Sequence, residues 1–233
     1  VMHLNLGMVG VQVVQKKFDL NKQLIPLTIA GDTPMVLMVG PNSPHKTMKD
    51  LVAYGRANPG KLNYATPGQG AIEHLKIAQM EKAAGFTGIN VAYKGGPDMV
   101  KAVIGGEVDF TVAPAIFAMQ FAPKGQVRVL AAIDQTRLKE FPDVPTIVEA
   151  GVNVSPLRIW SGFAVHQDTP PAIVQRLQRE LAAAGVSLPV VEKLTPFGMT
   201  LKSSKTSEEF RQQIASDVLW MSEVVKDLKL ESN

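Results

Sequence analysis

Lys61-Leu62-Asn63-Tyr64-Ala65-Thr66-Pro67-Gly68-Gln69-Gly70-Ala71 is the stretch on which the fold turns. Leu62 to Ala65 reads as a short buried strand, Thr66 to Gly70 as a glycine-bearing loop, and Ala71 to Ala84 as a helix that Gly85 stops. A second unit of the same kind follows. Ile89-Asn90-Val91-Ala92-Tyr93 is its strand, Lys94-Gly95-Gly96 its loop, and its helix is opened by Pro97 and Asp98 and ended at Gly105-Gly106. Strands that alternate with helices in this way build a mainly parallel sheet covered by helices, so the fold class is α/β.

Working outward, Met35-Val36-Leu37-Met38-Val39 reads as a buried strand closed by Gly40-Pro41-Asn42. A helix then opens at Thr47 with Asp50 as its capping-box partner, and Asn58-Pro59-Gly60 ends it. Val108 to Val112, Val127 to Ile133 and Ile159 to Val165 read as further strands. The last third is helical, with helices expected over Pro170 to Leu181, over Leu188 to Leu194, and from Thr206, where Glu209 completes a capping box, to about Leu228. No internal repeat or low-complexity segment interrupts this order. The compact set of strand-helix units predicts one continuous lobe, residues 37–155. The flanking segments predict a second, discontinuous lobe, residues 1–36 and 156–233, with a cleft between the two.

Composition narrows the functional classes. Hydrophobic residues make up 45% and charged residues 19% of the 233 positions, which is the balance of an ordinary globular protein. The net charge is only +3 and the basic residues are dispersed, so nothing tracks a phosphate backbone and nucleic acid is not an expected partner. The absence of cysteine excludes disulfides, thiolate metal sites and cysteine nucleophiles. Apolar stretches such as Pro34 to Val39 and Val108 to Ala118 fall well short of the roughly 20 residues that span a bilayer, so the chain is not expected to be membrane-embedded. Its start, Val1-Met2-His3-Leu4, has no basic n-region and no cleavage site, so either a signal peptide was removed or the sequence begins inside a longer protein.

The Thr66-to-Ala71 loop joins a strand to a helix N-terminus, where free N–H groups and the positive end of the helix dipole favour an anion. A plain turn, in which glycine serves only the backbone angles, is the competing reading. A dinucleotide loop fits poorly, because Glu73 stands where a third glycine belongs, and no Gly-Lys-Ser/Thr makes a P-loop. Tyr93-Lys94-Gly95-Gly96-Pro97 lies at the corresponding carboxyl end of its strand, where ligands of open α/β sheets gather. Tyr93 can donate a hydroxyl and Lys94 a charge; the alternative is a packed tyrosine and a solvated lysine. His74, one turn into its helix, can touch a ligand or buttress the loop. Trp160 can wall a cleft, although a strand tryptophan is more often core. His3, His45, His74 and His166 are widely separated, so neither a metal nor another cofactor is expected. Glu73 and Asp109 are isolated carboxylates, and no Gly-x-Ser-x-Gly or Ser-x-x-Lys occurs, so no enzyme is read from the residues.

These loops in this order resemble the receptors of tripartite tricarboxylate transporters, the Bug-type periplasmic solute-binding proteins. The resemblance covers nearly the whole chain. It rests on Phe18-Asp19-Leu20 leading to Ile25-Pro26-Leu27, on Lys61 to Gly68, on Val91 to Gly96, on Gly105-Gly106-Glu107-Val108-Asp109, and on Pro142-Asp143-Val144-Pro145-Thr146 with Glu149-Ala150-Gly151. It implies a two-lobed type II periplasmic-binding-protein fold, each lobe a mainly parallel sheet flanked by helices, that closes over a small carboxylate. It also implies a periplasmic location and delivery of the ligand to the membrane permease subunits of a transporter.

The family's second-lobe contacts fall on Thr66, Gly68, Gln69, Gly70, Ala71 and His74 and on Tyr93, Lys94, Gly95 and Gly96, and Ala113 and Trp160 complete the candidate set. Three departures stand out. Ala71 replaces a usual serine, and Val112-Ala113-Pro114 replaces a frequent Phe-Asp-Asn. The strand, ligand loop and helix that usually precede the position of Val1 are missing, which implies an incomplete first lobe. An effector-binding regulatory module shares this architecture but needs a DNA-binding region, and no helix-turn-helix pattern is seen in residues 1–40. An enzyme on the same fold is the third possibility.

Overall fold

In the computed structural model, which describes residues 1–227, the chain runs β1 (Met2–Asn5), α1 (Leu6–Gln15), α2 (Leu20–Gln23), β2 (Leu24–Val39) and α3 (Met48–Ala57). It continues through β3 (Leu62–Thr66), α4 (Ile72–Ala84), β4 (Gly88–Ala92), α5 (Gly96–Gly105), β5 (Phe110–Pro114), α6 (Ala115–Phe121) and β6 (Arg128–Ala132). The last elements are β7 (Arg158–His166), α7 (Pro171–Gly185), α8 (Leu188–Leu194), β8 (Thr200–Leu201) and α9 (Ser207–Asp227). Leu228, the expected end of the last helix, lies outside the described residues.

The chain divides into two compact units, one of Pro34–Arg158 and one of Val1–Thr33 with the segment from Ile159 onward. In the Pro34–Arg158 unit, β3 pairs in parallel with β4 on one side and β5 on the other. β2 is antiparallel to both β5 and β6. Four strands therefore share one direction and β2 runs against them, which brings the carboxyl ends of β3, β4, β5 and β6 to one edge of the sheet. The second half of β2, Met35 to Val39, is fully buried, as expected of a strand covered on both faces. Val36 and Met38 pack with Val100, Ala113, Ala115 and Ala118, while Ala65 packs with Met99, Ala102 and Val103. Met99, Val100, Ala102 and Val103 of α5 and Ala115 and Ala118 of α6 are the positions by which these two helices cover the sheet.

In the other unit β7 lies between β1 and β2. The pairings β1–β7 and β2–β8 are antiparallel, whereas the sequence pattern leads one to expect mainly parallel strands. Long helix α9 buries Phe210, Ile214, Met221, Val224 and Val225. Gly162 lies so close to Phe210 that a Cβ there would sit 2.6 Å from its ring.

Candidate ligand-binding site

The edge formed by the carboxyl ends of β3 and β4 carries both glycine loops. The Tyr93 N–H donates to the Thr66 carbonyl at 2.9 Å, so the second loop is tied to the end of the first strand. Thr66 is fully buried, and its hydroxyl accepts from the Gly68 N–H at 3.1 Å while donating to Asn90 Oδ1 at 2.6 Å. Gly68 and Gly70 adopt φ of 136° and 78°, backbone angles that side-chain-bearing residues rarely take. The Gly70 N–H donates to His74 Nδ1 at 3.0 Å, and the Ala71 N–H donates to the Gly68 carbonyl at 3.2 Å.

The loop therefore spends three of its N–H groups on itself. Among the described residues, the N–H groups of Gln69, Ile72 and His74 have no partner. Ala71 is the N-cap of α4 and makes no side-chain cap, as an alanine must. α5 likewise has no side-chain cap at its N-cap residue, Gly95, and carries Pro97 in its first turn. The contrast is α3, where Thr47 and Asp50 form a complete capping box. The N-terminus of α4 thus keeps N–H groups open, the condition under which an anion is favoured there, whereas at α5 the Asp98 and Met99 N–H groups turn back onto the Gly95 carbonyl.

Titratable groups nearby are governed by burial. Desolvation lowers the pKa of His74, and it raises that of Glu73 against the pull of a hydrogen bond from its own backbone N–H. Tyr64, stacked on His74 with ring centroids 6.4 Å apart, has its phenol pKa pushed up by burial and by Glu81. Lys76, two residues further along α4 than His74, is fully buried and its pKa is lowered to about 8 by burial.

Of the residues singled out from the sequence, Thr66, Gly68, Gln69, Gly70, Ala71 and His74 come together with Tyr93, Lys94, Gly95 and Gly96. Within that group Gln69 and Lys94 are exposed. The Tyr93 hydroxyl donates to Glu107 Oε2 at 3.3 Å. Gly96 is a close-packing position, since a Cβ there would meet the Phe117 ring at 2.7 Å. Ala113 is fully buried in the apolar core of β2 and β5. Trp160 belongs to the other unit, where it is 4% exposed, stacks edge-on against Phe210 and donates its indole N–H to Asp217 Oδ2 at 2.7 Å.

The sequence reading passed over Asn90, Lys76 and the ion pair of Arg158 with Asp134, which follows β6. Asn90 sits on a strand that was read correctly, but its partner is set by the β3–β4 register. Among the described residues no group of three or more histidine, aspartate or glutamate side chains is placed to hold a metal ion. No described helix is long and apolar enough to cross a membrane.

The sequence model of the tripartite tricarboxylate transporter family receptor matches residues 11–230. The chain belongs to that family. A UPF0065 protein from the gbd 5′ region of Cupriavidus necator is 31% identical over 194 residues, covering 83% of this chain and 58% of the relative. The receptor-family chain thus spans little more than half the length of such relatives.

Among the solved structures that share this fold are two with a bound organic acid. Rpa4515 of R. palustris with adipate is 24% identical, covering 91% of this chain and 71% of that one, with a TM-score of 0.83. MatC from Rhodopseudomonas palustris with bound malate is 21% identical, covering 96% and 78%, with a TM-score of 0.86. The fold implied by the sequence resemblance is therefore the fold of this receptor-family chain.

Proposed function

We propose that this chain is a periplasmic receptor that captures a small organic carboxylate and hands it to the membrane subunits of a transporter, without chemical turnover. The observation that carries the reading is the open N-terminus of α4. There a loop rigidified by Thr66 and His74 leaves the Gln69, Ile72 and His74 N–H groups without partners, at the sheet edge that also holds the Tyr93-to-Gly96 loop. Backbone N–H groups at a helix N-terminus can hold a carboxylate without a basic side chain. This suits a site in which Lys94 is exposed and Tyr93 is engaged by Glu107.

Family membership supports the receptor role, and the adipate and malate held by two proteins of the same fold supply the first ligands to try. The test is a thermal-shift and calorimetric screen of the protein against malate, adipate and other mono-, di- and tricarboxylates. A ligand at about 100 times its dissociation constant adds about 2.7 kcal/mol of stability, so binding would be plain in the melting curve. A saturable shift with recovery of the acid unchanged is expected. No shift with any acid, or conversion of one, overturns the reading.

A further inference from the structure

We infer that His74 is a positioning residue for ligand capture: as a neutral imidazole accepting at Nδ1, it fixes the Gly70 peptide and so keeps the Gln69 and Ile72 N–H groups available to a carboxylate. The inference rests on the carboxylate reading above and assigns the residue that sets its pH range. Sequence resemblance places His74 among the ligand contacts. Its geometry puts its action one step back, on the loop.

Three observations carry it. The Gly70 N–H is buried and donates to His74 Nδ1 at 3.0 Å, a bond that requires Nδ1 to be an acceptor and so puts the ring proton on Nε2. His74 is 8% exposed, and its ring lies against the Tyr64 ring at an interplanar angle of 25°. Gly70 has a φ of 78°, so its peptide is held in a conformation that the hydrogen bond helps to select.

Burial favours the neutral form of the ring, and these groups face or adjoin it. From β3 there is Tyr64, whose phenol is kept protonated by burial and by Glu81; from the loop there is the Gly70 N–H. On its own helix Glu73 adjoins His74 and is itself driven toward the neutral form by burial. Desolvation alone depresses the His74 pKa. Once protonated, Nδ1 becomes a donor facing another donor, and the Gly70 peptide is released.

Two measurements test this separately. In the ligand-free protein, nitrogen NMR of the imidazole should show the Nε2–H tautomer, and the Gly70 amide resonance should follow His74 protonation. In calorimetry with malate and adipate, affinity should fall by about tenfold or more when His74 is protonated. His74→Asn, which sets a non-titrating oxygen near the Nδ1 position, should retain most of the neutral-pH affinity and flatten the pH profile. His74→Leu should bind weakly at every pH.

A Gly70 resonance indifferent to His74 protonation overturns the inference, as does an undiminished His74→Leu. A Gly70 resonance that follows His74 while neither acid nor any other carboxylate binds at any pH supports the loop assignment and overturns the carboxylate reading alone.

Discussion

The Thr66 hydroxyl donates to Asn90 Oδ1 at 2.6 Å across the β3–β4 pair while it accepts the Gly68 N–H. One buried side chain thus fastens the edge strand to its neighbour and sets the first bend of the glycine loop. Thr66→Val keeps the shape and leaves both partners unsatisfied, so it is expected to cost about 1–3 kcal/mol in denaturant unfolding and to weaken carboxylate binding by about tenfold. Thr66→Ser should stay close to the parent in both measurements.

Lys76 ties α4 to the segment that precedes β7. Its ammonium reaches Gln79 Oε1 at 2.7 Å, the Ser155 carbonyl at 3.0 Å and Ser155 Oγ at 3.1 Å from a fully buried position. Lys76→Ala removes packing and bonds together and should cost roughly 2–4 kcal/mol. Lys76→Met should cost less, because it keeps the stem and no longer buries a charge. The sign of the pH effect follows from a pKa of about 8 when folded against 10.5 as the ordinary value. The unfolded chain binds more protons between those values, so the parent should gain stability over that range as pH rises, and the Met variant should lose that gain.

Glu81 accepts the Gly88 N–H at 2.5 Å at the start of β4, and burial raises its pKa to about 7 from 4.5. A raised folded pKa means that its contribution is complete below pH 4.5 and is lost as pH rises through about 7. Glu81→Gln can still accept from Gly88 and does not ionise. Melting temperatures should coincide at low pH. Near pH 8 the variant should be the more stable by on the order of 1 kcal/mol, a figure already reduced for solvent screening at a partly exposed group.

Gly162→Ala tests packing in the other unit. The new methyl would stand 2.6 Å from Phe210 Cε1 and Cζ and 2.7 Å from the Thr28 carbonyl oxygen. A backbone oxygen cannot step aside as a flexible side chain can, so a loss of about 1–3 kcal/mol is expected in thermal unfolding.

Much of the local structure was legible in advance. Thr47 and Asp50 form the capping box that their spacing predicts, and α8 spans Leu188–Leu194 as read. Strands expected at Ile89–Tyr93 and Val127–Ile133 form at Gly88–Ala92 and Arg128–Ala132. Ala71, which stands where the resemblance places a serine, is the N-cap of α4 and provides no side-chain cap. Side-chain roles were less legible. Trp160 admitted a cleft wall or a core residue, and its indole N–H is held by Asp217 from α9, far along the chain. Lys76 looks from its type like a surface residue, and nothing near it in sequence marks Ser155 as its partner.

The sequence by itself determined the α/β alternation, the helix ends and the placing of two glycine loops at strand carboxyl ends, because these depend on contacts only a few residues long: caps, turns and apolar periodicity. Tertiary structure alone decided that β2 runs against its neighbours, that Thr66 meets Asn90, that Lys76 is buried against Ser155, and which loop N–H groups stay free. Those outcomes depend on strand register and on side chains brought together from distant positions, where a buried polar group must find whatever partner the fold supplies.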